Sequence, residues 1–372
     1  MSHYVINVIK KMFNQNCYST TLTVRSDYLQ KNINFFRSKI SPKTKIIAII
    51  KANAYGYGDI NMANKLIDNN IDYFAVADFE EGIRLRSNGI NLPIIILYPS
   101  KNNLKVIIEN NLEPTIYSET MLNSIIELAQ KKVKIHIKID SGLNRYGIRE
   151  NEVPLVIKKI KQKKTIVIGS VFSHLSSNSK EHRDYSKNQL TYFNNIKSIF
   201  LREFKYKIDT HILSSYGVIN FPNQLDSMVR IGFGMYNGLL NYKLNHIGEL
   251  RIQISQIKEI NKGDSVGYNR AFISTKKMKI AVIPLGYADG LQRSWGNGKL
   301  KFLYKDKLFP VLGEISMDSC IIDVTDCLQI KENDKLILFG NERSIFSLAK
   351  ELQTIPYEIT AGLSKRIKRV FI

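Results

Sequence analysis

The chain has 372 residues, 44% of them apolar and 23% charged, with a formal net charge of +21. That length suits two domains, or one barrel plus a smaller module; no apolar run approaches the roughly eighteen residues that span a bilayer, so no membrane-spanning helix is expected, and residues 1–18 lack the apolar core expected of a secretory leader. The lysines are spread along the whole chain, and clusters such as 158–164 and 365–369 read as solvated faces, so no specific nucleic-acid partner is expected.

Residues 1–16 form an extension of unassigned role. From 17 to 248, strand-like and helix-like segments alternate. The strands are predicted at 46–50, 73–76, 94–97, 114–116, 133–139, 166–172, 210–213 and 228–231. Helices are predicted between them at 61–69, 80–87, 103–110, 118–130, 153–161 and 183–204, with Ser118 and Glu119 marking one start. Eight strands with intervening connections predict an α/β fold, an N-terminal (β/α)8 TIM-type barrel. From 249 to 372 the texture changes. Short strands at 251–257, 279–283, 302–304, 309–311, 320–324 and 335–338 are punctuated by turns such as Asp289-Gly290 and Gly296-Asn297-Gly298. This predicts a smaller, mostly-β C-terminal domain.

Lys51 ends the apolar strand at 46–50. Desolvation disfavours an ammonium and makes the amine a usable nucleophile. Taken alone, such a lysine is more often a stem covering apolar surface. In a barrel, active residues sit on the loops after the strands, and phosphate is often held after strands seven and eight. His136 and Lys138 lie on strand five, Arg145 follows it, and His174 follows strand six. Ser214 and Ser215 follow strand seven, and Arg230, Gly232 and Gly234 end strand eight. Each has a duller reading: satisfied core histidines, a serine cap, a glycine easing a strand end. Their joint placement with Lys51 points to an aldehyde-bearing phosphate cofactor, pyridoxal 5'-phosphate. Cys17, Cys320 and Cys327 are odd in number and lack metal-ligand spacing, so no metal site and a reducing cytoplasm are expected.

These segments resemble the alanine racemases, fold-type III pyridoxal phosphate enzymes, from about residue 17 to 372. Lys51-Ala52-Asn53-Ala54-Tyr55-Gly56-Tyr57-Gly58 is similar to the family's cofactor-lysine signature. The stretch from Lys138 to Gly147, containing Arg145, resembles the substrate-side arginine segment. Val229 to Tyr236, containing Arg230, resembles the arginine segment that meets the pyridine nitrogen. Gly267-Tyr268 matches the catalytic tyrosine, and the runs 283–290 and 313–318 match two further stretches. Tyr57 departs from a usual histidine. Lys365 takes the place of a tyrosine that touches phosphate in some relatives, and Arg366-Ile367-Lys368-Arg369 replaces an arginine-valine-proline-arginine run.

The resemblance implies a racemase interconverting L-alanine and D-alanine by two bases, supplying D-alanine for peptidoglycan. Lys51 would hold the cofactor and serve the D-enantiomer, and Tyr268 the L-enantiomer, tuned by His174 or a nearby arginine. Tyr55, Arg145, His174, Ser215, Arg230, Gly232 and Phe233 would bind the cofactor. Arg145, Met317 and Tyr287 would hold the substrate, with Tyr287 admitting little more than a methyl. Lys138 sits where some relatives carry a carbamylated lysine. The family also implies a homodimer with shared active sites. The alternatives are a serine or broad-range racemase and, further off, a fold-type III decarboxylase.

Overall fold

Long apolar runs become strands here because both faces of each strand are covered. The computed structural model describes residues 18–372 apart from 178, 180, 225 and 243, so the extension and Cys17 lie outside the described residues. In chain order the first nine strands are β1 (Thr20–Val24), β2 (Lys45–Ile49), β3 (Tyr73–Val76), β4 (Ile94–Ile96), β5 (Glu113–Ile116), β6 (Val133–Lys138), β7 (Ile166–Phe172), β8 (Asp209–His211) and β9 (Met228–Ile231).

The chain divides into two compact units. One holds 30–54 and 59–235; the other holds 18–29, 55–58 and 236–372. In the first, eight parallel strands run in the order β8-β7-β6-β5-β4-β3-β2-β9. Among the described residues no ladder joins β8 to β9, but the Arg230 amide donates to Leu213 O at 3.0 Å and the Thr210 amide to Ser227 Oγ at 2.7 Å across that seam. The predicted barrel is therefore present, nearly closed. Ile46, Ile47, Ala48, Phe74, Ala75, Ile94, Ile95, Ile135 and Ile137 are buried in it. Helices cover the strands with one apolar stripe each; Val153–Gln162 buries Val153, Val156, Ile157 and Ile160, the spacing of one helical face. Ser118 caps the helix Glu119–Leu128 by accepting from the Met121 amide, as its position suggested.

The second unit is built on a nine-stranded sheet. Its further strands are β10 (Gly248–Gln253), β11 (Gln256–Ile260), β12 (Ser265–Val266), β13 (Phe272–Ile273), β14 (Met278–Ile283), β15 (Lys301–Tyr304), β16 (Lys307–Leu312), β17 (Cys320–Asp323), β18 (Lys335–Phe339) and β19 (Lys368–Phe371). The order is β11-β14-β17-β16-β15-β18-β10-β1-β19, with β12 and β13 paired apart. Two details depart from the sequence reading. The single strand expected at 251–257 is two, because Ile254 and Ser255 turn to bond Asp334 O and Val282 O. And β1, from the range assigned to the barrel, pairs antiparallel with β10 and parallel with β19, so it belongs to this sheet. No helix among the described residues is long and apolar enough to cross a membrane.

Candidate active site

Lys51 follows β2 at the start of a turn with an unusual hand. Ala52, Asn53, Ala54 and Tyr55 have φ of 52°, 54°, 52° and 56°. The left-handed helical region costs about 1–2 kcal/mol per residue with a Cβ, so four in succession need external anchors. The Ala52 amide donates to Glu81 Oε1 at 2.5 Å. Asn53 Oδ1 accepts from the Asp59 amide at 3.1 Å, and the Ala54 amide returns to Ile50 O at 3.0 Å. Burial, and then the charge of Arg145, push the Lys51 amine down from its ordinary pKa, with Glu81 opposing.

Lys138 ends β6 and is buried. Its Nζ lies 5.6 Å from the ring centre of Tyr98, 5.8 Å from Phe172 and 6.0 Å from Tyr146. Burial, then Arg145 and Arg230, lower it to about 7. Arg145 is exposed, on a loop shaped by Asp140, whose Oδ1 accepts from the amides of Gly142 and Asn144. Its guanidinium stands 5.7 Å from the Tyr98 ring centre.

Arg230 on β9 is buried, and each acceptor it meets is neutral. Nη2 donates to Ser173 O at 2.7 Å, Ile212 O at 2.9 Å and His174 Nδ1 at 2.9 Å; Nη1 donates to His211 Nδ1 at 2.5 Å. Burial lowers its pKa to about 10, so it is still a cation at neutral pH. Burial first, and Arg230 second, hold both His174 and His211 well below the usual imidazole range, so both rings are neutral. Arg230 Nε–H has no hydrogen-bond partner among the described residues.

Ser215 opens a short helix, Ser215–Asn220, after β8. Its Oγ accepts from the amides of Gly234 at 3.1 Å and Gly232 at 3.4 Å, which draws the two loops after β8 and β9 together. Gly234 is required there, since a Cβ would stand 2.3 Å from Phe36 Cζ. Phe233 stacks on Tyr216 at 5.6 Å.

The remaining expected residues belong to the second unit. Tyr55 lies against Tyr236 at 5.1 Å and Tyr357 at 6.4 Å. Tyr268 sits in a turn with positive φ at Gly267, Asn269 and Arg270, and it is 68% exposed. It lines one hollow of about 540 Å³ with Tyr287, Arg293 and Ser316, and a second of about 360 Å³ with Met317 and Asp318. Tyr268, Tyr287 and Met317 are thus gathered on one surface of this unit. The Tyr287 and Ala288 amides donate to Ser316 O and Met317 O, and a Cβ on Gly286 would lie 2.3 Å from Met317 O.

Several structural partners went unread in the sequence: Glu81, His211, Ser170 and the acid pair Asp289 and Asp318. Arg366 donates to Asp289 through Nε at 2.6 Å and to Asp318 through Nη2 at 2.6 Å. The C-terminal arginine run is therefore a brace within its own unit. Arg369 likewise donates to the carbonyls of Gly56, Leu363, Ser364 and Ile367. Tyr57, the departure from histidine, is fully buried and bonds His246 Nε2 at 2.6 Å. Lys365 is exposed.

Do these residues fit the cofactor the sequence implies? A buried guanidinium with a spare N–H suits an unprotonated pyridine nitrogen, which accepts only. The serine and glycine loops offer the small side chains and amides that phosphate needs. A desolvated lysine suits an aldehyde. The barrel unit thus has the residue types of the class that holds a phosphate-bearing aldehyde cofactor.

Comparison with known proteins is more specific. The family model for the alanine racemase N-terminal domain matches residues 24–239, and that for the alanine racemase C-terminal domain matches 247–371. An alanine racemase 2 of Caldanaerobacter subterraneus subsp. tengcongensis is 31% identical over 95% of each chain. A solved alanine racemase of Clostridium difficile 630 superposes with a TM-score of 0.88 at 32% identity, over 95% of this chain and 96% of that one. A Bartonella henselae alanine racemase with covalently bound pyridoxal phosphate gives 0.85 at 26% identity, over 95% and 100%. The chain belongs to the alanine racemase family.

Proposed function

We propose that this chain is a pyridoxal phosphate-dependent alanine racemase in which Lys51 and Tyr268 are the two bases. The observation that carries the reading is the barrel cluster: a desolvated Lys51 amine, a buried Arg230 with one free N–H, and the cradle of Ser215, Gly232 and Gly234. When bound, the cofactor supplies an electron sink that lowers the cost of removing the α-proton.

The chain's own residues do the rest. Burial and the charge of Arg145 lower the pKa of Lys51 and so favour the free amine that takes the proton, and the D-enantiomer is its substrate. Tyr268 exchanges a proton through its phenol on the opposite face, for the L-enantiomer. Arg230 offers only N–H groups, so it would meet the cofactor's pyridine nitrogen as a donor and leave the sink weak, which would discourage transamination. Neutral His174 accepts from Arg230 and fixes its orientation. Arg145 binds the substrate carboxylate, with the Met317 backbone as second anchor, and Tyr287 limits side-chain size. Tyr55 and Phe233 complete the cofactor's surroundings with Ser215 and Gly232.

Tyr268 would meet Lys51 across a cytoplasmic homodimer, each site completed by a second copy. The product would be D-alanine for peptidoglycan. Neither specific nucleic acid nor membrane is a partner.

Chiral chromatography of single alanine enantiomers should show loss of optical purity without carbon dioxide release; decarboxylation, or serine turned over faster than alanine, would overturn the reading. Lys51→Ala should lose the visible cofactor band. Tyr268→Phe should keep the band and slow exchange at one face alone; equal slowing at both faces would remove Tyr268 from its role. Dilution to a demonstrable monomer should abolish turnover.

A further inference from the structure

Five consecutive strands of the barrel sheet each contribute one side chain to a single line of hydrogen bonds: Glu113 (β5), His136 (β6), Ser170 (β7), His211 (β8) and Arg230 (β9). Glu113 Oε2 lies 2.7 Å from His136 Nε2, and His136 Nδ1 lies 2.7 Å from Ser170 Oγ. Ser170 Oγ lies 3.0 Å from His211 Nε2, and His211 Nδ1 lies 2.5 Å from Arg230 Nη1. His136, Ser170, His211 and Arg230 are 1%, 0%, 0% and 5% exposed, so water does not complete the line.

Its direction follows from its ends. Arg230 has no acceptor, so His211 Nδ1 must accept and His211 carries its hydrogen on Nε2. That N–H donates to Ser170, whose one hydroxyl hydrogen goes to His136 Nδ1. His136 then carries its hydrogen on Nε2 and donates to Glu113, which as a carboxylate only accepts. Burial pushes the Glu113 carboxyl up, but His136 and Lys134 outweigh it and hold it below its ordinary range; Lys134 Nζ sits 3.0 Å from the other oxygen. A charged His136 donating to Ser170 would leave either a buried hydroxyl hydrogen with no acceptor or a His211 N–H pointed at Arg230. One arrangement alone satisfies every group.

We infer that Glu113, His136 and Ser170 are positioning residues for Arg230, a polarised line that fixes the His211 tautomer and aims the guanidinium from the far side of the barrel. The inference rests on the reading that Arg230 faces the pyridine nitrogen. Successive donors in a low-dielectric interior strengthen one another, so the charge on Glu113 is felt at His211 without contact. The line also spans the β8–β9 seam, where no ladder holds the strands.

The test uses holoenzyme labelled with 15N-histidine. Six histidines make the nitrogen spectrum tractable. Wild type should show His211 and His136 both hydrogenated on Nε2. Glu113→Gln removes the terminal charge and should move the His211 nitrogen shifts from three hydrogen bonds away. Ser170→Ala, the smallest change, should do so more strongly, with kcat falling roughly tenfold, KM within about twofold and abortive transamination rising roughly tenfold. Ser170→Thr, which keeps the hydroxyl, should restore the shifts. Unchanged His211 shifts in both variants, or a wild-type His211 hydrogenated on Nδ1, would overturn the inference. Failure of the cofactor reading would look different: no visible band in wild type, with the tautomers as stated.

Discussion

Glu81 Oε1 accepts the Ala52 amide at 2.5 Å while Oε2 accepts the amides of Ala77 at 2.9 Å and Asp78 at 3.3 Å. One carboxylate thus ties the left-handed turn after Lys51 to the end of β3 and to the start of the helix Phe79–Ser87. The same contacts make a capping box with Asp78. Glu81→Gln supplies one acceptor oxygen where two are used and turns an amide toward a backbone donor. Leaving such a group unmatched costs about 1–3 kcal/mol. The variant should bind cofactor several-fold more weakly in titrations of the visible band and should unfold at lower denaturant. Unchanged cofactor affinity would mean the turn holds without Glu81.

The barrel was legible because its strands are nearly pure apolar runs, as at Ile94-Ile95-Ile96, and because its helices show one stripe. The hand of the turn after Lys51 was not. Ala and Asn favour ordinary helix or turn, and only tertiary partners, Glu81 and Asp59, impose the left-handed form. The place of β1 was hidden for a similar reason: its partners lie some two hundred residues or more downstream. The polar line through the barrel left a faint trace, since His136 and Lys138 are two apart on a buried strand and share a face. His211, alone on a three-residue strand, left none. The brace made by Arg366 is bidentate geometry, which spacing does not encode.

Lys138 gives a pH dependence with a definite sign. Its folded pKa of about 7 lies below the ordinary lysine value of 10.5. Between those values the unfolded chain binds the extra proton and the folded one does not, so stability rises with pH from about 7 to about 10.5. Below pH 7 both states are protonated and the buried charge weakens the fold. Denaturant unfolding of wild type minus Lys138→Met, in buffer free of dissolved carbon dioxide, should show this rise, of the order of a few kcal/mol in total. A flat difference over that range would show Lys138 to be charged in the fold.

Gly286 approaches the backbone of 316–317 so closely that no side chain fits. A Cβ would stand 2.3 Å from Met317 O and 2.4 Å from Ser316 O, and neither carbonyl can rotate away as a side chain would. Gly286→Ala should therefore shift the segment that carries Met317 and Tyr287. The expected loss in kcat/KM is roughly tenfold, about 1.4 kcal/mol. The cofactor band should be retained, because the barrel cluster is untouched. Loss of the band with activity would place the damage in the barrel instead.

Asp289 accepts from the Gly286 amide at 2.8 Å and from two nitrogens of Arg366, at 2.6 and 3.1 Å. Arg366 also reaches Asp318, beside Met317. The guanidinium therefore fixes, from one point, the two loops that carry Tyr287 and Met317. A lysine keeps the charge but is a single point and holds one partner at a time. Arg366→Lys should leave the cofactor band in place, raise KM for alanine several-fold and, if Tyr287 has the size-limiting role proposed for it, narrow the preference for alanine over serine, because the loop that carries Tyr287 loses its brace. Chiral assays of both amino acids measure this directly. If discrimination survives while kcat alone falls, the side-chain limit is set elsewhere than at Tyr287.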